Sequence, residues 1–304
     1  MGTQGTVGSD KSTLHKLGAM LDRRVTPSRP VHASSEELAE LRKQVETLGQ
    51  RQRSLELLLA GEGRGMVRMP HPRHLNELAD QLTTFTGNRN EALRNVHQAF
   101  RLLIAVEAIG VGRIAGGTMN ICGKLAAAPL LAPPNDDVLE IGTLYGLFGA
   151  ALLRTLERAG REPQFTVLDP LVGTQLQNGS SIANDASGTP VDERAVRTNL
   201  ALAGEAGQRA RLIVGYSTDP ASQAQVADRQ YGLIIVDGDH SREGVIADLA
   251  WVEQIVAPGG VVILDDFGDA KWPGVEQAWE HHQAAGSRLA LLGTAASSAY
   301  LRAQ

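Results

Sequence analysis

The sequence predicts an α/β protein in which helices cover both faces of a doubly wound, mostly parallel sheet of seven strands. From Asp137 onward, short apolar runs alternate with helical patterns, which is typical of parallel βα units. The last two runs, 288–293 and 297–302, are joined only by Thr294-Ala-Ala296 and predict a C-terminal antiparallel hairpin. Before about residue 130 the patterns indicate a helical N-terminal extension. The other strands are expected at 137–141, 165–169, 210–214, 232–237 and 260–265.

The N-terminal part predicts a tail followed by one long helix. Residues 1–32 are rich in Gly, Ser and Thr and are expected to be disordered. Ser34-Ser-Glu-Glu37 fits a capping box that opens an amphipathic helix over 33–61. Its heptad seam predicts a coiled coil and a homo-oligomer through residues 35–60, although a helix packed on its own domain fits the same pattern. The apolar members of the seam are Leu38, Leu41, Val45, Leu48, Leu55 and Leu59, with Gln52 as the polar one.

Residues 62–129 predict further helices between this seam and the α/β part. Two or three are expected from Leu75 to Ile109, and another begins at Thr118. They can form a cap or lid over a site, or they can simply cover an edge of the sheet. Residues 130–304 then form the domain that carries the site.

The composition excludes several classes of protein. The chain has 304 residues, 42% of them hydrophobic and 21% charged, which is normal for a globular protein. A net charge of −5 does not indicate a protein that binds nucleic acid. The single Cys122 excludes an intrachain disulfide framework. No apolar run is long enough for a membrane helix or forms the core of a signal peptide. We therefore expect a cytoplasmic protein with no membrane span and no nucleic-acid partner.

The stretch that organises the chain is Val138-Leu-Glu-Ile-Gly-Thr-Leu-Tyr-Gly146, a buried strand that runs into a glycine-rich turn and a helix start. The third glycine of the dinucleotide-binding pattern is missing, and Glu140 would repel a pyrophosphate. An acid at this position favours a cationic or hydroxyl-rich ligand, and S-adenosylmethionine fits both descriptions. The candidate ligand-binding residues of this turn are Glu140, Gly142, Thr143, Tyr145 and Gly146.

The next two strand ends extend the same site. Asp169 ends the second strand and can accept hydrogen bonds from ribose hydroxyls, although an acid there can also cap a turn. Gly215 follows the third strand and allows a close approach, and Ser217 can bind an adenine edge. Ser-Thr-Asp is also an ordinary N-cap sequence, so this third end is the weaker signal.

Carboxylates crowd the fourth and fifth strand ends. Asp237 and Asp239 follow the fourth strand, and Asp265 and Asp266 follow the fifth. Crowded carboxylates without a counter-charge repel one another, and a hard divalent cation such as Mg²⁺ relieves that repulsion. Such an ion also orients a hydroxyl for attack, and His240 can then take the proton as general base. Alternatively, Asp239 and Asp266 only cap turns.

Together these strand ends resemble those of the class I S-adenosylmethionine-dependent methyltransferases, whose fold is Rossmann-like. The resemblance covers about 130–304 and is strongest to small-molecule O-methyltransferases of the catechol and caffeoyl-CoA type and to bacterial sugar O-methyltransferases. The most specific signal is Val236-Asp-Gly-Asp-His-Ser241 followed by Pro258-Gly-Gly-Val-Val-Ile-Leu-Asp-Asp-Phe267. The other matching residues are Val138–Gly146, Asp169 and Gly215-Tyr-Ser217.

The resemblance implies methyl transfer from S-adenosylmethionine to a glycosyl or phenolic hydroxyl of a small molecule. It assigns Asp237, Asp265 and Asp266 as Mg²⁺ ligands, and Asp237 also to the catalytic and cosubstrate sites. Catechol-type enzymes carry Asn where Asp266 stands, and Lys where His240 stands, so the general base is less certain than the metal ligands. Two other hypotheses stay open. One is a non-catalytic methyltransferase-like assembly protein, and the other is a nicotinamide-dependent oxidoreductase, which the missing third glycine disfavours.

Overall fold

The computed structural model describes residues 34–59, 68, 70–172 and 189–304. The chain divides into two compact units, one up to Arg53 and one from Ser54 onward. The tail expected over residues 1–32 and most of the loop after Asp169 lie outside the described residues. In the part of the chain that is described, no helix is long and apolar enough to cross a membrane.

Helix α1 (Ser35–Leu59) begins at the capping box that the sequence predicts. The backbone N–H of Glu37 donates to Oγ of Ser34 at 3.1 Å, and the N–H of Ser34 donates to Oε2 of Glu37 at 2.7 Å. The apolar members of the seam from Leu38 to Leu55 are exposed, with fractions that run from 47% at Leu38 to 67% at Val45. The helix is present as predicted, while the coiled coil and the oligomer stay predictions.

Three helices precede the sheet: α2 (Pro72–Thr86), α3 (Arg89–Ile109) and α4 (Thr118–Leu130). Pro72 stands in the first turn of α2, where a missing N–H costs no hydrogen bond, and Gly87 ends that helix with a φ of +75°. The buried apolar side chains of all three helices belong to one hydrophobic cluster with the sheet. These helices therefore pack on the sheet, and their role as a cap or lid over the site stays a prediction.

Seven strands form one sheet in the spatial order β3-β2-β1-β4-β5-β7-β6. The first five pair in parallel, and β7 runs antiparallel to both β5 and β6. This confirms the predicted fold class, including the C-terminal hairpin. The strands are β1 (Asp137–Ile141), β2 (Gln164–Asp169), β3 (Arg211–Val214), β4 (Tyr231–Val236), β5 (Val256–Leu264), β6 (Leu289–Ala295) and β7 (Ser298–Ala303).

Helices cover both faces of this sheet, as the side chains of β4 show, because successive ones point to opposite faces. Leu233 and Ile235 join the cluster that contains α2 to α4, whereas Ile234 and Val236 join a second cluster on the opposite face. The strand order predicts where a ligand binds. From β1 the chain adds strands on one side of the sheet as far as β3, and it then continues with β4 on the other side of β1. Open α/β sheets bind their ligands at such a reversal. The later helices are α5 (Leu147–Arg158), α6 (Glu193–Leu200), α7 (Glu205–Gln208), α8 (Pro220–Val226), α9 (Arg242–Ile255) and α10 (Pro273–Ala284).

Candidate active site

The carboxyl ends of β1 to β4 open into a cavity of about 560 Å³. An open parallel sheet places its ligands at this edge, and the volume lies within the usual range of small-molecule sites. Tyr145, Gly146, Asp265 and Asp266 are not among the described residues that line it. The sequence-predicted residues that do line it are Glu140, Gly142, Thr143, Asp169, Gly215, Ser217, Asp237 and His240.

The glycine-rich turn is tight because the backbone of β4 passes directly beside it. Gly142 has a φ of +84°, and a Cβ at this position would collide with the carbonyl oxygen of Asp237. Leu144 also has a positive φ, of +55°, which is uncommon for a residue other than glycine. The turn therefore brings bare backbone to the cavity wall, as a site for a closely held ligand requires.

Glu140 is the acid at the floor of this turn and is only 1% exposed. The hydroxyl of Thr143 donates to its Oε2 atom at 2.7 Å. Burial is the main cause that raises the pKa of Glu140 to about 8, and the Thr143 hydrogen bond acts in the opposite direction. A cation that enters the cavity would favour the ionised form, so the predicted preference for a cationic ligand has a physical basis here.

Asp169 organises the turn as well as facing the cavity. Its Oδ2 atom accepts from the N–H groups of Thr143 at 2.7 Å and Leu144 at 3.3 Å, and Oδ1 accepts from Leu171 at 2.8 Å. Burial raises its pKa, and these backbone hydrogen bonds oppose the rise. With three acceptor positions already used, less of the carboxylate is free for ribose than the sequence alone suggests.

Tyr145 is not among the described residues that line the cavity, and its assignment as a ligand-binding residue stays a prediction. It is 2% exposed, its ring packs against Gly112, and its hydroxyl donates to the carbonyl of Thr189 at 2.8 Å. Gly146 likewise starts α5 with a φ of +77° and lies close to Val196. Of the described residues in this turn, Gly142, Thr143 and Leu144 line the cavity, whereas Tyr145 and Gly146 do not.

A lysine joins the carboxylates at the ends of β4 and β5. The Nζ atom of Lys124, on α4, lies 2.6 Å from Oδ2 of Asp265 and 3.0 Å from Oδ2 of Asp237. Burial alone would lower the pKa of Lys124, but the two carboxylate charges outweigh it and raise that pKa. Burial would likewise raise the pKa of Asp237, but Lys124 and His240 hold it well below its usual range. The lysine is therefore an ammonium and Asp237 a carboxylate at neutral pH.

His240 stands between two carboxylates. Its Nε2 atom is 3.4 Å from Oδ1 of Asp237, and its Nδ1 atom is 3.3 Å from Oδ2 of Asp266. These are ion-pair distances, longer than good hydrogen bonds. Burial would lower the pKa of His240, but Asp237 and Asp266 outweigh it and raise that pKa. Trp272 packs edge-on against the imidazole at 5.0 Å between ring centroids and also lines the cavity.

These contacts do not fit the divalent ion that the sequence predicts. Asp265 uses Oδ1 for the amide of Asn120, at 2.8 Å, and for the hydroxyl of Ser298, at 3.1 Å, while Oδ2 contacts Lys124. Over residues 34–59, 68, 70–172 and 189–304, no three or more His, Cys, Asp or Glu side chains form a group that could hold a metal ion. The metal prediction assumed carboxylates with no counter-charge, whereas Lys124 supplies one.

Comparison with known families agrees with this geometry. Residues 139–267 match the model of a family described as a methyltransferase domain. The chain contains a methyltransferase domain. The class predicted from the strand ends, an S-adenosylmethionine-dependent methyltransferase of class I, is confirmed, and so is the Rossmann-like fold.

Solved structures similar to this methyltransferase chain include three O-methyltransferases. The enzyme from Bacillus cereus, in complex with SAH, is 15% identical with a TM-score of 0.42, over 69% of this chain and 91% of that one. NovP is 19% identical with a TM-score of 0.48, over 75% and 98%. TomG from Streptomyces achromogenes, which is involved in tomaymycin synthesis, is 19% identical with a TM-score of 0.41, over 77% and 99%. No curated protein is similar enough in sequence to count as a match.

Two residues of this methyltransferase site are absent from the sequence-based assignment. Asn120 and Lys124 both come from α4, where their spacing of four residues places them on one face of the helix. The signal for Lys124 is a single charge inside Ile121-Cys-Gly-Lys-Leu-Ala-Ala-Ala128, a run that is otherwise apolar or small. A charged residue in a buried helix face requires a partner, and the carboxylates of the sheet edge are that partner.

Proposed function

We propose that this methyltransferase transfers the methyl group of S-adenosylmethionine to a hydroxyl oxygen of a small molecule. The observation that carries the proposal is Asp237, a carboxylate that lines the cavity while it is held between Lys124 and His240. A carboxylate in this position can accept a hydrogen bond from an incoming hydroxyl and direct its oxygen toward the methyl group. We expect a glycosyl or phenolic acceptor of the natural-product or glycolipid type, as the sequence resemblance implies.

Glu140 and Asp169 divide the binding of the cosubstrate between them in this proposal. S-adenosylmethionine supplies an electrophilic methyl group on a sulfonium. Glu140 favours a positive charge near the floor of the turn, and the remaining acceptor capacity of Asp169 suits a ribose hydroxyl. Gly215 and Ser217 line the same cavity, and we expect them to contact the adenine of the cosubstrate.

The reaction is a displacement at carbon. The acceptor oxygen forms a bond to the methyl carbon, the sulfur–carbon bond breaks, and its electron pair stays on sulfur as a neutral thioether. The hydroxyl proton passes to the pair formed by Asp237 and His240. His240 takes that proton only when it is neutral, so turnover is expected to rise with pH as the raised pKa of His240 is passed.

No divalent ion enters this proposal, because Lys124 already provides a cation to the carboxylates at the ends of β4 and β5. The small-molecule acceptor, the absence of a nucleic-acid partner and the cytoplasmic location stay predictions that rest on the sequence. So does the homo-oligomer. We propose that a second copy of this chain covers the exposed seam of α1, because its heptad spacing is self-complementary between identical helices.

Thermal unfolding of the full chain with different ligands tests the proposed function. S-adenosylmethionine and S-adenosylhomocysteine should each raise the midpoint, since a ligand at a hundredfold its Kd stabilises by about 2.7 kcal/mol. NAD⁺ at the same concentration should leave the midpoint unchanged, because the turn lacks the third glycine of a dinucleotide site and carries Glu140. A shift with NAD⁺ alone would instead support the oxidoreductase hypothesis. No shift with either adenosyl ligand would overturn the proposal.

A further inference from the structure

We infer that the ammonium group of Lys124 is a built-in cation that takes the place of a divalent metal ion between Asp237 and Asp265. This inference rests on the proposed function, because it concerns how that site holds Asp237 for an acceptor hydroxyl. Lys124 is not among the described residues that line the cavity, so it acts through Asp237 and is a positioning residue.

The distances leave no place for a metal ion between the Oδ2 atoms of Asp237 and Asp265 while the lysine is there. A magnesium ion binds carboxylate oxygens at about 2.0–2.1 Å. The Nζ atom of Lys124 already contacts the Oδ2 atoms of both Asp237 and Asp265, at 3.0 and 2.6 Å. An ion could reach these oxygens together only if the ammonium group left.

The ammonium group is fixed in its position. Lys124 is 1% exposed, and its Nζ atom also lies 4.9 Å from the centroid of the Phe148 ring. Its helix is held by a fully buried run on the C-terminal side, formed by Leu125 to Ala128. The helix belongs to the core that covers the sheet, so the packing of that core sets the position of this side chain.

Neutral donors occupy the other oxygen of the second carboxylate, that of Asp265. Oδ1 of Asp265 accepts from Asn120 and Ser298, which places a donor on the side away from Lys124. The charges of the cluster point the same way. The carboxylates of Asp237 and Asp265 already share one buried cation, the ammonium group of Lys124.

The consequence for the reaction is a fixed orientation of Asp237. One of its oxygens contacts Lys124, the other faces His240, and the side chain is 28% exposed. Two partners on opposite oxygens hold the carboxylate plane in one orientation at the cavity wall. A metal ion would orient the acceptor by binding it directly, whereas this lysine orients the carboxylate that binds the acceptor.

Binding of Mn²⁺, followed by electron paramagnetic resonance, tests the inference on the full chain. The wild-type protein is titrated with Mn²⁺ beside Lys124→Met, which removes the charge, and Lys43→Met, which removes an exposed lysine of α1. We expect no stoichiometric Mn²⁺ site in the wild type or in Lys43→Met. We expect Lys124→Met to bind Mn²⁺ at least about 100-fold more tightly than the wild type does, since carboxylates without a counter-charge attract a hard cation.

One Mn²⁺ per wild-type chain, lost in Asp265→Asn, would overturn the inference. A folded Lys124→Met that binds no Mn²⁺ would overturn it as well, because Lys124 would then not be what keeps the ion out. If Lys124→Met does not fold, the wild-type titration decides alone. The thermal shift with S-adenosylhomocysteine is measured on the same samples in Mg²⁺ and in EDTA. If S-adenosylhomocysteine causes no thermal shift, the proposed function is contradicted. If it causes a shift but the wild type also binds Mn²⁺, only the role of Lys124 is contradicted.

Discussion

The Nζ atom of Lys124 lies 2.6 Å from Oδ2 of Asp265, a contact that joins helix α4 to the end of strand β5. Both side chains are almost fully buried, at 1% and 5% exposure. Leaving one of them without the other would bury an uncompensated charge, which is costly. Helix α4 is therefore part of the candidate site, and its packing and the charge balance of the site depend on each other.

Gly142→Ala is expected to destabilise the fold and weaken cosubstrate binding. Its φ of +84° costs any other residue strain, and the new Cβ would collide with the carbonyl oxygen of Asp237. Gly160→Ala is the matched control, because Gly160 has a φ of +79° and open space around it. We expect about 1–2 kcal/mol of lost stability from strain alone at Gly160, and at least about 2 kcal/mol more at Gly142.

Urea unfolding measures both glycine variants, and calorimetric titration with S-adenosylhomocysteine measures binding. Equal losses of stability in the two variants would show that the turn does not press against the backbone of β4.

Asp169→Asn should weaken binding of S-adenosylhomocysteine. The amide loses the charge that strengthens the hydrogen bonds from Thr143, Leu144 and Leu171, and the turn it organises forms part of the cavity wall. Since hydrogen bonds to a charged group contribute about 1.5–3 kcal/mol, we expect the Kd to rise roughly 10- to 100-fold. Asp192→Asn is the control, because that acid caps α6 and Asn is an equally good cap. A similar change of Kd in both variants would contradict this role.

Glu140→Gln should reduce the dependence of stability on pH. The folded protein keeps a proton on Glu140 up to a pKa of about 8, whereas the unfolded chain loses it near the ordinary value of 4.5. Between these values the native state binds more protons than the unfolded state, so the free energy of unfolding falls as pH rises. Glu140→Gln lacks this contribution. Over the same pH range its free energy of unfolding should fall by at least about 1.4 kcal/mol less than that of the wild type, the equivalent of one pKa unit.

Chemical denaturation without ligand, at several pH values from 4.5 to 8, gives the slopes for wild type and variant. Comparing the two chains isolates Glu140, because Asp266, whose pKa burial raises to about 7, acts in the same direction in both. Glu162→Gln, at an exposed position, should leave the slope unchanged. Parallel slopes for wild type and Glu140→Gln would show that Glu140 ionises normally.

Only Tyr231→Phe, and not Tyr300→Phe, should lower stability, although both side chains are fully buried. Among the described residues the hydroxyl of Tyr300 has no hydrogen-bond partner, so its removal should be neutral or stabilise by up to about 1 kcal/mol. The hydroxyl of Tyr231 donates to the carbonyl of Val226 at 3.1 Å, and its loss should cost about 1 kcal/mol. Thermal and urea unfolding would measure both, and a larger loss at Tyr300 would reverse this assignment.

Leu48→Lys should convert an oligomer into monomers if α1 pairs with a second copy. Leu48 is 61% exposed on the heptad seam, and a charge there would be buried in a coiled coil. Thr47→Lys places the same charge off the seam and should leave the mass unchanged. Light scattering on the full chain gives the mass of each protein. A monomeric wild type, or equal masses for all three, would exclude this interface.

Local sequence patterns determined most of the architecture. The β-branched runs, the glycine-rich turn and the short link before the last strand predicted seven strands within a few residues of their observed limits. The largest difference is β5, which begins at Val256 because that residue pairs with Tyr231 ahead of a register irregularity. The strand-end acids were also predictable, since the chemistry of an open parallel sheet concentrates at the carboxyl ends of its strands.

Only the tertiary structure decided how those acids are partnered. Asp237 and Asp265 indicated a crowded carboxylate site, and from the sequence a metal ion was the simplest way to balance it. The balancing charge comes instead from Lys124, on a helix far from them in the chain, and nothing in local periodicity places that side chain against the sheet edge. Secondary structure follows from interactions between near neighbours, whereas the electrostatic balance of a buried site depends on long-range packing, which a single sequence does not display.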